Sequence, residues 1–257
     1  MSSPETNSKE RFTSRVSDYL RYRPGYPDGV IACLKGYHNL NPLSVVADIG
    51  SGTGLLSELF LRNGNLVYAV EPNEAMRAAA EVQLTENPKF ISVAGSAEET
   101  SLPDGSVDIV TAGQAFHWFD PDAARKEFVR ILKGHGSVVL IWNARLTDTT
   151  PFLQEYEAFL KVFANDYAKV NHTNVEQHKL TGFFSPNKFT AYSYPNRQRF
   201  DLEGLKGRLR SSSYMPNAGE AGYEVMIAEL QRLFERHVKG GTVQIDYRTN
   251  LYCGKLA

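Results

Sequence analysis

Cysteine is scarce. Cys33 and Cys253 are the only two, far apart in the chain, which excludes a disulfide framework and any paired-cysteine metal site. Neither charge sign is in excess: 28 basic side chains meet 29 acidic ones for a net charge of −1, so no global field favours nucleic acid or an anionic membrane. No apolar run approaches the length of a membrane span, and Met1 to Arg11 is polar and charged, unlike a secretory leader. The expectation is a soluble cytoplasmic protein with a frayed tail over residues 1–11 and no membrane or nucleic-acid partner. Internal repeats and low-complexity tracts are missing too. What remains is ordinary globular composition, 42% hydrophobic and 22% charged over 257 residues, enough for one large α/β domain with insertions.

One stretch organises the chain. Val45-Val46-Ala47-Asp48-Ile49 runs into Gly50-Ser51-Gly52-Thr53-Gly54, and a helix-forming segment starts at Leu55. This reads as strand, tight glycine turn, helix. Glycine is required where the backbone takes positive φ or where a ligand presses on the main chain, and the following helix start offers unpaired N–H groups to an anionic ligand group. A dinucleotide site wants G-x-G-x-x-G/A, but Leu55 stands where that pattern needs a third small residue. An acid two residues before the first glycine, with glycines on alternate positions, fits a different nucleoside-binding turn.

Leu66 to Val70 is a continuous apolar run, the mark of a strand buried on both faces, and it ends in Glu71. That places an acid roughly twenty residues beyond the turn, where it can accept hydrogen bonds from ribose hydroxyls. Pro72-Asn73 turns the chain into a helix over 74–85, with Asn73 as its cap. Further strands are read at 90–94, 107–112 and 137–142, with a helix started by Asp120-Pro121 and stopped by Lys133-Gly134. The alternation predicts a doubly wound parallel sheet. Beyond it, Phe152, Tyr156, Phe159, Leu160 and Phe163 share one helical face, 189–200 reads as a sixth strand, 202–210 as a short helix, 223–234 as an amphipathic helix and 242–252 as the last strand. Residues 12–27, with Pro24, Gly25 and Pro27, read as a turn or loop, either surface-packed through cation–π contacts or acting as a lid over a charged small molecule.

Four landmarks agree in order and distance: Asp48–Gly54, Glu71, the Ser96–Glu98 loop and Gln114–Phe119. Over about residues 40–145 they resemble class I S-adenosylmethionine-dependent methyltransferases. Tyr22-Arg23-Pro24, Gln114 to Trp118 and Ser211 to Tyr214 look more loosely like the branch that includes trans-aconitate methyltransferases. The resemblance implies a Rossmann-like seven-stranded sheet with an antiparallel last strand and a helical cap insertion. It divides one methyltransferase domain (1–257) into an N-terminal lid and first helix (12–40), a cofactor core (41–145), a cap (146–187) and a C-terminal part (188–257). S-adenosylmethionine is the implied cofactor, with no metal. Gly50, Ser51, Gly52 and Gly54 would pass under its methionine part and Glu71 would hold the ribose, with Asp48, Thr53 and Pro72 also among the cofactor-binding residues. Met76 and Ser96, Ala97 and Glu98 would border the adenine; Ser96 to Glu99 could equally just start a helical turn. Gln114 and Ala115 would lie near the sulfonium, and Tyr19 and Arg23 would close over the amino-acid end.

The implied reaction is methyl transfer to a small-molecule acceptor, with a carboxylate oxygen the first expectation. A quinone, phenol or carbon acceptor, a non-catalytic cofactor binder and a nicotinamide oxidoreductase are the alternatives. Tyr22, Phe116, Trp118 and Tyr214 are expected to line the acceptor pocket, Phe116 and Trp118 as its dry walls. A carboxylate is already ionised at neutral pH, whereas a phenol or carbon acid needs a base, for which His117 is the candidate; it could equally only shape the cavity. The other histidines (38, 135, 172, 178 and 237) read as surface groups.

Overall fold

The computed structural model describes residues 16–165 and 177–256, so the expected tail at 1–11, the start of the expected loop at 12–15 and His172 lie outside the described residues. The described elements, in chain order, are α1 (Val16–Tyr22), α2 (Gly29–Tyr37), β1 (Val45–Ile49), α3 (Leu55–Arg62), β2 (Leu66–Val70), α4 (Glu74–Leu84), β3 (Phe90–Val93), β4 (Val107–Gly113), α5 (Pro121–Ile131), β5 (Leu132–Arg145), α6 (Pro151–Phe163), α7 (Gln177–Phe184), β6 (Phe189–Phe200), α8 (Leu202–Arg210), α9 (Tyr223–His237) and β7 (Val243–Gly254). The seven strands form one sheet in the order β3-β2-β1-β4-β5-β7-β6. Strands β1 to β5 pair in parallel, and β7 runs antiparallel. Ser193 meets Asn250 and Arg199 meets Gln244 across β6 and β7, so one number rises as the other falls, the register of antiparallel neighbours.

Two compact units divide the chain: Gly25–Asn143 with Val175–Tyr194 and Thr249–Ala257, and Met1–Pro24 with Ala144–Asn174 and Pro195–Arg248. In the first, period-two alternation sorts each strand's side chains between two cores. Ala47, Val110, Val138 and Leu140 join Phe128, Ile131, Leu180 and Phe183 on one face. Val46, Ile109, Val139 and Ile141 join Val30, Leu34, Leu56 and Phe60 on the other. Strands that are mostly apolar on both faces can be covered by helices on both sides. The second unit has its own core, in which Phe152, Tyr156 and Leu160 of α6 pack with Leu205 and Leu209 of α8, Met226, Leu230 and Leu233 of α9, and Ile245 and Tyr247 of β7.

Local chemistry sets the helix starts. Asn73 Oδ1 accepts from the Met76 N–H at 3.0 Å, and Asp120 Oδ1 accepts from Asp122 and Ala123, both at 3.0 Å, with Pro121 in the first turn. Two sequence expectations are corrected. Residues 16–22, read as loop, form helix α1, because Pro24 and Pro27 follow it and stop it rather than interrupt it. Lys133-Gly134, read as the stop of α5, already belongs to β5: the helix ends at Ile131 and Leu132 pairs directly with Val107. The histidines also divide: His135 is exposed beside Asp108, but His38 is half-buried edge-on to Tyr192, and His237 lies 3.0 Å from Glu155 with its side chain only 16% exposed. Among the described residues no helix is long and apolar enough to cross a membrane.

Candidate active site

At the carboxyl end of β1 the chain must reverse into α3 within five residues. Gly50, Gly52 and Gly54 all take positive φ there, +67°, +57° and +84°. Gly50 is needed for a second reason: a Cβ on it would sit 2.7 Å from the Ala115 Cβ, so the turn and the segment leaving β4 touch. Gly52 is different. A Cβ there would meet nothing within 4 Å, so this glycine faces open space.

Glu71, at the end of β2, ties the turn to the next loop. Its Oε2 accepts from the Gly52 N–H and its Oε1 from the Asn73 N–H, both at 2.8 Å. The Gly50 and Ser51 N–H groups both donate to the Val70 carbonyl, at 2.9 and 3.1 Å, which fixes the turn on the end of β2. Beneath it Asp48 is fully buried. Its Oδ2 accepts from the Ser57 hydroxyl at 2.6 Å, while Oδ1 has no hydrogen-bond partner. Burial raises its carboxyl to about 7 against the opposing Ser57 bond, and the nearby Glu71 charge adds to the rise. The hydroxyls of Ser51 and Thr53 are likewise shut off from solvent without partners.

Met76 is buried in the first turn of α4. In the loop after β3, Ser96 Oγ accepts from the Glu98 and Glu99 N–H groups, both at 3.2 Å, and Ala97 is buried in the core. These are side-chain bonds within a loop, and no helix starts at Ser96–Glu99. Glu98 Oε1 accepts from the Asp120 N–H at 2.9 Å. Gln114, at the end of β4, holds a left-handed backbone (φ +58°), rare for a non-glycine residue. Its N–H donates to Ile141 at 2.9 Å and its amide to Asn143 at 3.2 Å.

The 3₁₀ turn Phe116–Trp118 departs from expectation. Phe116 is not a pocket wall: its ring is buried edge-on to Phe183 at 4.7 Å and Phe119 at 6.0 Å, because the start of this turn points into the core. Trp118, on the turn's far side, is 44% exposed. His117 is exposed and tilts against Trp118 at 4.7 Å. Tyr26, unremarked in the sequence as a site residue, brings its hydroxyl 2.4 Å from where a Gly113 Cβ would lie.

In the second unit, Arg23 lies over the Tyr19 ring at 5.0 Å and donates through Nη2 to the Ser211 carbonyl at 2.7 Å. Tyr22 packs directly on Gly207, where a Cβ would fall 2.0 Å from its ring. Tyr214 is half-buried beside that unit's core. A cavity of about 570 Å³ opens instead among His38, Ser44, Asp108 and Lys255, at the amino ends of β1 and β4. Ligands of open α/β sheets bind at the opposite, carboxyl ends.

The residues at the carboxyl ends of the strands fit a nucleoside with an amino-acid arm: a glycine whose missing Cβ faces open space, a carboxylate at the end of β2 tied to the turn, and buried polar atoms without hydrogen-bond partners among the described residues. Strand order and glycine turn together define a class I S-adenosylmethionine-dependent methyltransferase. Residues 47–140 match the methyltransferase domain family. An uncharacterized methyltransferase of Schizosaccharomyces pombe is 27% identical over 242 residues, 92% of each chain. One of Geobacillus thermodenitrificans is 31% identical over 158 residues, 57% of this chain and 71% of its own. The solved structure of an Anabaena variabilis protein, described as a methyltransferase from an antibiotic biosynthesis pathway, aligns over 90% of this chain and 98% of its own with a TM-score of 0.59 and 26% identity. The chain belongs to the methyltransferase domain family, and S-adenosylmethionine is its cofactor.

Proposed function

We propose that the protein transfers a methyl group to a carboxylate oxygen of a small organic acid. The observation that carries the cofactor half is Gly52: a positive-φ glycine with no protein atom near its missing Cβ, its N–H held by Glu71. In this reading the turn Gly50–Gly54, with Asp48 beneath it, lies under the methionine part. Glu71 and Pro72 hold the ribose, Met76 and Ser96–Glu98 flank the adenine, and Gln114 and Ala115 border the reacting end. Tyr19 and Arg23 stand as candidates for the amino-acid end, and Tyr22, Trp118 and Tyr214 for the acceptor.

S-adenosylmethionine, when bound, supplies an activated methyl on a positive sulfur. The protein's part is alignment and exclusion of water, which in favourable cases lowers a barrier by roughly 7–11 kcal/mol. The left-handed Gln114 backbone, anchored at both its N–H and its amide, is a fixed element at the strand end where alignment is needed. His117 is exposed, whereas a general base must reach the acceptor proton inside a closed site. An ionised carboxylate needs no base. The antibiotic-pathway description of the Anabaena relative and the resemblance to trans-aconitate methyltransferases favour a small acid over a macromolecule.

The test is a methyl-label transfer screen over mono-, di- and tricarboxylic acids, phenols and quinols. A base-labile methyl ester is the expected product. Label appearing only as an aryl ether or on carbon would overturn the carboxylate reading.

A further inference from the structure

In the second unit two guanidinium groups, the buried Arg208 and the half-buried Arg23, have no acid to match them among the described residues. Arg208, on α8, is 7% exposed. Its Nε donates to the Tyr247 hydroxyl at 3.2 Å, and its Nη1 to the hydroxyls of Ser212 at 3.0 Å and Ser211 at 3.4 Å. Those are all its partners among the described residues, and its Nη2 has none. Arg23 reaches the same serine from the other side, through the Ser211 carbonyl, and its Nε is closed off from solvent without a partner. Burial first, and then repulsion from Arg208, holds Arg23 below the ordinary arginine value.

Three other arginines of this unit are paired with acids. Arg145 pairs with Glu157, Arg210 with Asp18 at 2.9 Å, and Arg236 with Glu155 at 2.8 Å. Arg208 and Arg23 have hydroxyls, a carbonyl and aromatic rings instead. None of these neutralises a charge: the Tyr156 phenol, pushed up to about 12 by burial, stays un-ionised. Two like charges withdrawn from water without a counter-charge are costly, and such pairs are found where an anion completes them.

The site is also held in place. Tyr247 donates its hydroxyl to Gln198 Oε1 at 3.0 Å, and Gln198 donates its amide to the Tyr22 carbonyl at 3.1 Å. With its proton committed to Gln198, the phenol oxygen faces Arg208 as an acceptor, which fixes the guanidinium plane. With Nε and Nη1 engaged, the two N–H groups of Nη2 are left to make charge-assisted hydrogen bonds to a carboxylate.

We propose that Arg208 forms an anion site in the helical unit that binds a carboxylate of the acceptor, with Arg23 beside it on Ser211 and left to the cofactor's amino-acid end. This rests on the small-acid reading above and specifies which side chain selects it. Arg208 would be a binding residue, with Tyr247 and Gln198 positioning it.

The experiment is calorimetric titration of the full chain, wild type, Arg208→Gln and Arg208→Lys, with citrate, succinate, inorganic phosphate and, separately, S-adenosylhomocysteine. Wild type is expected to bind at least one of the two carboxylates. Arg208→Gln should lose that binding at least tenfold while its S-adenosylhomocysteine affinity stays within about twofold, which also shows that the variant is folded. Arg208→Lys, which keeps the charge but not the fork, should fall between. Equal carboxylate affinity in wild type and a folded Arg208→Gln would overturn the site, and so would no carboxylate binding by wild type at 10 mM ligand. Binding of phosphate alone would overturn the carboxylate class. A tenfold loss confined to S-adenosylhomocysteine would assign the arginine to the cofactor's own carboxylate and overturn the acceptor role. Carboxylate binding lost in Arg208→Gln, together with no methyl ester in the label screen, would leave this site standing and refute the proposed reaction.

Discussion

Replacing Asp48 by Asn should make the protein's stability rise relative to wild type as the pH goes up. The folded carboxyl titrates near 7, against 3.8 for the free group, chiefly because burial penalises its charge. Between those values the native state holds a proton that the unfolded chain has released, so wild-type stability falls with rising pH across that window and levels off above it. A gap of about 3 pH units, at ~1.4 kcal/mol each, makes the whole change ~4 kcal/mol. Asn is isosteric and does not titrate. Its carbonyl can take over the Ser57 bond, and its amide would occupy the position of the partnerless Oδ1. Any cost of that buried amide, about 1–3 kcal/mol, is the same at every pH and cannot imitate the slope. The assay is urea unfolding of both proteins at half-unit steps from pH 4.5 to 8.5, comparing midpoints at constant m. A stability difference flat to within ~0.5 kcal/mol over that range would show that Asp48 keeps an ordinary carboxyl, and the account of the buried acid would be wrong.

Three further outcomes follow from the turn and its neighbours. Gly52→Ala should cost only ~1–2 kcal/mol of stability for its left-handed backbone yet weaken S-adenosylhomocysteine binding at least tenfold by calorimetry; Gly50→Ala, driven into Ala115, should show the larger drop in melting temperature. Glu71→Gln should lower cofactor affinity about tenfold or more with little change in melting temperature, because its amide oxygen can still take one of the two N–H bonds; unchanged affinity would remove Glu71 from the ribose. His117→Ala should leave the pH profile of turnover on a carboxylate acceptor unchanged, and loss of a titrating limb between pH 5 and 8 would make the imidazole the base after all.

Much of the sheet is legible because its central strands are mostly apolar and two of its helix starts carry their own caps, Asn73 and Asp120. Periodicity and capping are local signals, and the tertiary structure agreed with them. Errors arose where a local signal was placed one step wrong. Pro24 marks where α1 ends rather than the absence of a helix, and Gly134 lies inside β5 rather than at a helix stop. The exposure of Trp118 and the burial of Phe116 could not be read from adjacent aromatic letters, since a 3₁₀ turn sends neighbours in opposite directions. The Arg208 cluster was invisible for a deeper reason. Tyr22, Arg23, Gln198, Arg208 and Tyr247 are spread along the chain, and nothing in their local sequence says that two of them share a serine.

The hydrogen bond from the Asp120 N–H to Glu98 joins the loop after β3 to the residue that opens α5. Any ligand that settles against the first loop therefore also loads the second, and the helix behind it inherits the strain or the relief. Amide exchange in the two loops should slow together when the pocket fills, although only one of them need touch the guest.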